Sequence, residues 1–513
     1  MLGPLSLTTV NLALPSIAEA FEVNAKRLSW IPTSFLLSTV ICMLPAGKLA
    51  DIYGRKRFYL CGVLFTGIVS IAASLAQSAE TLIFWRFLQG GSVAVFVGSG
   101  LAILTAVFPG KNRGAAMGWY AASVYFALTV SPVLGGLVTE YMGWRAVFWI
   151  QVPFSLIVAV CVWVAMPGEW SELGRQHGIR RNGTGRSDSD RSNGDLSHSD
   201  LSNSDLSHSS RSDHHQHGVN HRQHQTPDDD HVNGSTMRAD MRADMRAIGR
   251  LFDWKGTFIF AAWAITFVLA VASLPHAYSG FLFAISGLCL VLFIWQQTRS
   301  LNPLLPASLF VRARTFSCSL GAAVLMYSAS YPLSFLLSLF LQIGQEMTPS
   351  KVGLILLLQA MAMAIVAPIA GRISDRFGAR VLATLGCLCS VAGFLQIYFA
   401  DAETPVWVMG IGLVSIGLGY GCFSTPNNSS AMGAVSKQDL GAASSAVNLA
   451  RVIGNLLGMS VMVVVVQVFI GTQEFSPALR TELAQAVKVW MMIAMTCGLT
   501  AALLSFIRGE SVV

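Results

Sequence analysis

Charge is what this sequence has least of. Asp, Glu, Lys and Arg make up 12% of its 513 residues, about half the roughly 25% usual in soluble domains. So little charge cannot wet the surface of a chain this long, which excludes a large soluble enzyme, a disordered scaffold and a nucleic-acid binder. Patterned cysteine is missing too: Cys42, Cys61, Cys161, Cys289, Cys318, Cys387, Cys389, Cys422 and Cys497 all sit in apolar stretches without CxxC spacing. They read as small hydrophobes, so neither a disulfide framework nor a metal site is implied. Carboxylates are absent from the middle of every apolar run: Glu19 and Glu140 stand near run ends, Asp51 and Asp375 in short loops. What is abundant is apolar: 53% hydrophobic residues, 46 Gly, 29 Phe and a mean hydropathy of +0.57. This is the composition of a polytopic membrane protein whose helices pack closely in lipid.

Crossing a bilayer takes roughly 17–25 mostly apolar residues. Such runs lie near 1–20, 29–50, 58–77, 82–108, 116–139, 146–166, 256–275, 279–298, 316–341, 352–371, 381–400, 406–426, 443–470 and 487–507, which makes fourteen spans. The first begins almost at Met1 without the basic segment of a signal peptide. It reads as a span that starts abruptly, or as one whose initiation site lies upstream. With the N-terminus placed in the cytoplasm, short inside loops and the C-terminus hold fourteen Lys and Arg, against six outside. That asymmetry predicts a plasma-membrane protein with both termini cytoplasmic, and turns the net charge of +7 into a topology signal.

Residues 168–255 break the pattern. They hold 12 Lys and Arg, 14 Asp and Glu, and the tandem repeats DLSHS-DLSNS-DLSHS and MRAD-MRAD. Too few apolar residues remain to bury a core, so a disordered cytoplasmic linker is expected. Nine of the ten histidines fall here, clustered at His214, His215, His217, His221 and His224. Metal binding and low-complexity drift both account for them, and drift is preferred. The expected domains are therefore 1–167, the linker 168–255, a hairpin 256–298, and 299–513.

An internal repeat orders the rest. GKLADIYGRKR (Gly47–Arg57) follows the second span and GRISDRFGAR (Gly371–Arg380) the tenth. Gly47, Asp51 and Gly54 recur as Gly371, Asp375 and Gly378 at a constant offset of 324. Two six-helix bundles separated by an extra hairpin account for this, and substrate sites of duplicated transporters lie between such bundles near the midplane. Gly47 is expected where the second span meets a neighbour, Gly54 in a tight turn, and Asp51 in a pair with Arg55 or Arg57 or at a helix N-terminus. Arg86 lies within the fourth span, where a charge costs at least ~2.5–3.5 kcal/mol on insertion scales and so faces a partner or cavity. Pro132 should bend the fifth span, with Gly135 and Gly136 allowing close contact across the bundles.

Several segments together carry a specific resemblance. They are Thr8–Pro15 (TTVNLALP), Trp30–Leu36, Gly47–Arg57, Arg86–Gly90 (RFLQG), Ser131–Gly136 (SPVLGG), Trp144–Pro153, Phe252–Trp254 and Asn302–Leu305. With these the chain resembles the major facilitator superfamily, in its fourteen-helix drug:proton antiporter branch. The resemblance implies an all-α membrane fold and no enzyme activity or cofactor. Small-molecule substrate and protons are the implied partners, with export by alternating access, and the chain is expected to act as a monomer. It implies a conformational latch at Gly47, Asp51, Gly54, Arg55, Arg57, Gly371, Asp375, Gly378 and Arg380. A proton-coupling role falls to Arg86 and Gln89, with Glu140 and Arg451 as further charged candidates, and an antiporter kink to Ser131, Pro132, Gly135 and Gly136. Asn11, Phe35, Tyr125, Phe126 and Tyr327 are expected to line the cavity. Ser131 departs from the family's usual glycine. Ser6 stands where the family usually has an intramembrane aspartate, which shifts proton coupling to Glu140, Asp51 or water near Arg86, or removes it. Import of a metabolite and a non-transporting sensor are the rival readings. The kink motif argues against the first, and no catalytic constellation is visible.

Overall fold

A computed structural model describes residues 2–107, 113–165, 252–274, 276–300, 302–306, 309–310, 313–400, 404–436, 440–471 and 479–509. The regular elements among them are helices. In chain order they are α1 (Leu2–Phe21), α2 (Ala25–Tyr53), α3 (Arg55–Ser74), α4 (Ala79–Val107), α5 (Arg113–Met142) and α6 (Ala146–Ala165). Then come α7 (Trp254–Ala272), α8 (Ser279–Arg299), α9 (Arg314–Gly344), α10 (Pro349–Phe377), α11 (Ala379–Tyr398), α12 (Val406–Gly433), α13 (Leu440–Phe469) and α14 (Arg480–Ile507).

Each expected span has its helix. The largest differences are at α14, which starts seven residues before the expected 487, and α12, which ends seven after 426. The reason is physical: a 28-residue helix is about 42 Å long, whereas the hydrocarbon layer that sets the hydropathy signal is about 30 Å. Thirteen of the fourteen are long and apolar enough to cross a membrane. The exception is α1, where Ser6, Thr9 and Asn11 are buried by protein, so lipid need not tolerate them. The linker repeats and the histidine cluster lie outside the described residues. Its expected boundary at 255 moves back slightly. Asp253 caps α7 by accepting from Gly256 N at 2.9 Å and is held by Gln297 Nε2, also at 2.9 Å.

Local chemistry sets the turns. Asn24 caps α2 through Arg27 N, and Gly54 (φ +116°) and Gly378 (φ +86°) reverse the chain in a region that favours glycine. Alternating helix directions put both glycine turns at one end of the molecule, here called the motif end. Asn24, Gly143 and Thr348 mark the opposite end.

The two bundles repeat one pairing scheme. In the first, α2 packs on α4, α4 on α3, α1 on α5 and α3 on α6. In the second, α10 packs on α12, α12 on α11, α9 on α13 and α11 on α14. Between bundles α2 meets α13 and α5 meets α10, contacts that exchange under the same correspondence. The duplication read from the loop motifs is therefore a pseudo-twofold in the packing. The hairpin α7–α8 leans through α7 on α2 and α13, leaving the surface of α8 largely exposed.

Candidate functional site

The two bundles join through polar layers and one backbone-to-backbone seam. The first layer surrounds Arg86, about 10 Å along α4 from its first residue. Its side chain is 0% exposed. Nη1 donates to Ser6 O at 3.0 Å and to Gln89 Oε1, and the guanidinium lies 4.3 Å from the Phe35 ring centroid. Gln89 Nε2 in turn donates to Ser70 Oγ at 2.7 Å and Gln151 Oε1 at 3.0 Å, while Ser6 Oγ donates to the same Gln151 oxygen at 2.7 Å. This network ties α1, α3, α4 and α6 into one unit. At Ser6, where the family usually has an aspartate, the backbone carbonyl thus reaches Arg86 while the hydroxyl turns to Gln151.

Beside it, α1 meets α9 of the other bundle. Pro15 has no N–H, so the carbonyl of Asn11 four residues earlier lacks its helical donor. Ser338 Oγ supplies one from the other bundle at 2.9 Å. Asn11 Nδ2 donates to Ser334 Oγ at 3.2 Å, and Gln342 Nε2 to Leu12 O at 3.1 Å. Gln342 sits in a π-helical turn, Phe340–Gly344, that closes α9, a local widening often found at functional sites.

A second layer lies deeper. Ser424 Oγ on α12 is shared by Tyr125 OH of the first bundle at 3.1 Å and Tyr327 OH of the second at 3.3 Å. Tyr327 packs edge-on against Tyr420, and the Arg451 guanidinium lies 5.6 Å from its ring. Arg451 Nη2 donates to Asn448 Oδ1 at 2.9 Å. This layer offers aromatic faces, hydroxyls and one cation, the chemistry of an amphipath site.

The seam runs along α5 and α10. A Cβ on Gly136 would strike the Pro349 carbonyl oxygen, and one on Gly353 would lie 2.6 Å from Pro132 O. Glycine at both places lets the helices touch backbone to backbone. At the end of the seam Glu140, exposed, accepts from Ser350 N at 3.0 Å, in the first turn of α10. The carboxylate so placed complements the positive end of that helix.

Several expectations change. Gly47 does not make room for a neighbour, since a Cβ there meets nothing within 4 Å. The closest approach is made by Gly98, whose Cβ would lie 3.5 Å from the Gly47 backbone. Of the two kink glycines, Gly135 faces Thr9 inside its own bundle and only Gly136 faces across. The helix α5 is continuous through Pro132, and Ser131 Oγ donates to Ala127 O. Phe35 is buried beneath Arg86, and Phe126 is exposed and takes no part in the tyrosine layer, which gathers Tyr125 and Tyr327. Among the latch residues Arg55 and Arg57 begin α3, while Gly371 faces Thr425 and Arg380 stacks on Phe506. The side chains of Asp51 and Asp375 lie outside the described residues.

Sequence reasoning missed Ser70, Gln151, Ser334, Ser338, Gln342 and Ser424. Gln151 was detectable as an uncharged polar group inside an apolar span. The serines were not, because Ser is common in such helices and usually bonds its own i−4 carbonyl.

Known proteins resemble this chain in sequence and in fold. Over 460 residues the chain is 27% identical to multidrug resistance protein Stp of Mycobacterium tuberculosis, covering 88% of this chain and 71% of the relative. It is 25% identical to riboflavin transporter RibZ of Clostridioides difficile, covering 84% and 78%. In three dimensions it resembles an inward-facing, unoccupied bacterial homolog of the human lysosomal transporter Spinster. There the TM-score is 0.61 at 16% identity, over 99% of this chain and 94% of that one. The Major Facilitator Superfamily profile matches residues 1–459, and the chain belongs to that family of membrane transporters.

Proposed function

We propose that the protein exports hydrophobic or amphipathic small molecules across the plasma membrane, in exchange for protons, by rocking its two bundles about the cavity between them. The observation that carries this reading is the α5–α10 seam. Pro132 and Gly136, from the motif that marks exchanging exporters in the family, touch Gly353 and Pro349 of the opposite bundle. A seam built from backbone contacts separates as a rigid surface, which suits alternating access. Similarity to a protein named for multidrug resistance supports export of drug-like molecules. The bias of Lys and Arg toward the motif end supports a cytoplasmic location for that end and for both termini. Since one chain holds both bundles, a monomer completes the cavity.

The titrating group falls to Glu140, a carboxylate that bridges the bundles and would release Ser350 on protonation. A metabolite substrate is the second reading, favoured by the similarity to a protein named as a riboflavin transporter. Everted membrane vesicles test both. Accumulation of a lipophilic fluorescent drug that collapses with the pH gradient supports the exporter. Transport that ignores the gradient removes proton exchange, and movement of flavins alone favours the second reading.

A further inference from the structure

Arg86 is a buried cation with half of its hydrogen-bonding edge unused. Nη1 is engaged by Ser6 O and Gln89 Oε1, but neither Nε nor Nη2 has a partner. Those two atoms form the side-on fork of a guanidinium, two parallel N–H donors at the spacing of a carboxylate's oxygens. The guanidinium carbon lies over the Phe35 ring, a cation–π contact that takes up neither of these N–H donors. No carboxylate of the described residues contacts it, and at the family's aspartate position Ser6 offers only a carbonyl and a hydroxyl.

Buried polar atoms in native proteins are almost always satisfied, and two bare donors of a full charge call for an acceptor. The acceptor must be anionic to balance the guanidinium and planar to fill the fork.

We propose that Arg86 is the receptor for a carboxylate carried by the transported molecule, standing in for the side-chain carboxylate that Ser6 lacks. This rests on the transporter reading and narrows its substrate class to amphipathic organic acids, with the aromatic body of the molecule directed toward the tyrosine layer. Arg86 is fully buried in this conformation, so binding requires the helices around it to open.

Thermal unfolding of the purified full-length protein in detergent at pH 7.5 tests it. The ligands are benzoate, 2-naphthoate and 9-anthracenecarboxylate, each beside its primary amide. At least one acid should raise the midpoint saturably while its amide does not. Ser6→Asp adds a carboxylate on the residue whose carbonyl Arg86 already binds; by offsetting the charge of the guanidinium it should weaken that acid about tenfold or more. Arg86→Lys keeps the charge but loses the bidentate edge and should do the same. If Arg86→Lys does not fold, Ser6→Asp still decides the matter. The proposal is overturned if no acid stabilises the protein, if amides act equally, or if Ser6→Asp binds the acid as wild type does. Saturable stabilisation by chloride to which no acid adds would make the ligand an inorganic anion and also overturns it. Efflux of a neutral dye in vesicles separates the two readings. Intact efflux without acid binding leaves the exporter standing, whereas acid binding without any efflux leaves the site and removes the exporter.

Discussion

Replacing Gly353 by alanine puts one methyl group where α10 touches α5. The new Cβ would lie 2.6 Å from Pro132 O, 3.2 Å from its carbonyl carbon and 3.5 Å from Val133 Cα. The first distance is well inside van der Waals contact. Both neighbours are helix backbone and cannot turn aside like a flexible side chain, so the helices must move apart. Overpacking of this kind costs about 1–3 kcal/mol. In a transporter the penalty applies only to the conformer in which this seam is closed. The ratio of seam-open to seam-closed molecules should therefore rise roughly 5- to 150-fold. Spin labels at Glu19 and Glu346, exposed residues on opposite bundles at the end away from the motif loops, report the change. Double electron–electron resonance should show a longer distance gaining weight in Gly353→Ala. Gly135→Ala is the control, because its Cβ would press on Thr9 at 2.9–3.3 Å within one bundle. It should lower thermal stability without moving the distance distribution. An unchanged distribution in Gly353→Ala, or an equal change in Gly135→Ala, would refute the seam as the moving surface.

The loop motif makes a paired prediction. Gly54→Ala, at φ +116°, should destabilise by about 1–3 kcal/mol and impair transport. By contrast Gly47→Ala, with open space and a helical backbone, should be neutral or stabilising by up to about 1 kcal/mol. Thermal unfolding and vesicle uptake at matched protein level measure both. Glu140→Gln removes a charge-assisted bond to Ser350 N, so it should shift the same spin-label distances toward the open seam and flatten the dependence of uptake on the pH gradient. Wild-type values for both would remove Glu140 from coupling. Asp253→Ala takes away the α7 cap and the anchor of Gln297. It should lower stability by about 0.5–2 kcal/mol, with little change in transport per folded molecule, because the cap is remote from both polar layers.

The sequence alone determined the number and position of the helices, the duplicated bundles and the family. Each of these is written in signals that need no partner: twenty-residue apolar runs, charge bias in loops, and motifs such as Gly47–Arg57 and its copy at Gly371–Arg380. Arg86 was legible as a buried charge because a cation in an apolar run must turn inward to protein or a cavity rather than face lipid. What surrounds it was not. The meeting of Ser6, Gln89 and Gln151, the use of the Asn11 carbonyl freed by Pro15, and the bare Nε and Nη2 of Arg86 each depend on which helix faces show to one another. Hydropathy carries little of that facing information in a membrane protein, since lipid-facing and partner-facing surfaces are both apolar. Gly47 and Gly136 show the limit within one chain. Both are motif glycines, yet only the packing decides that Gly136 lies against Pro349 while a Cβ on Gly47 would meet nothing.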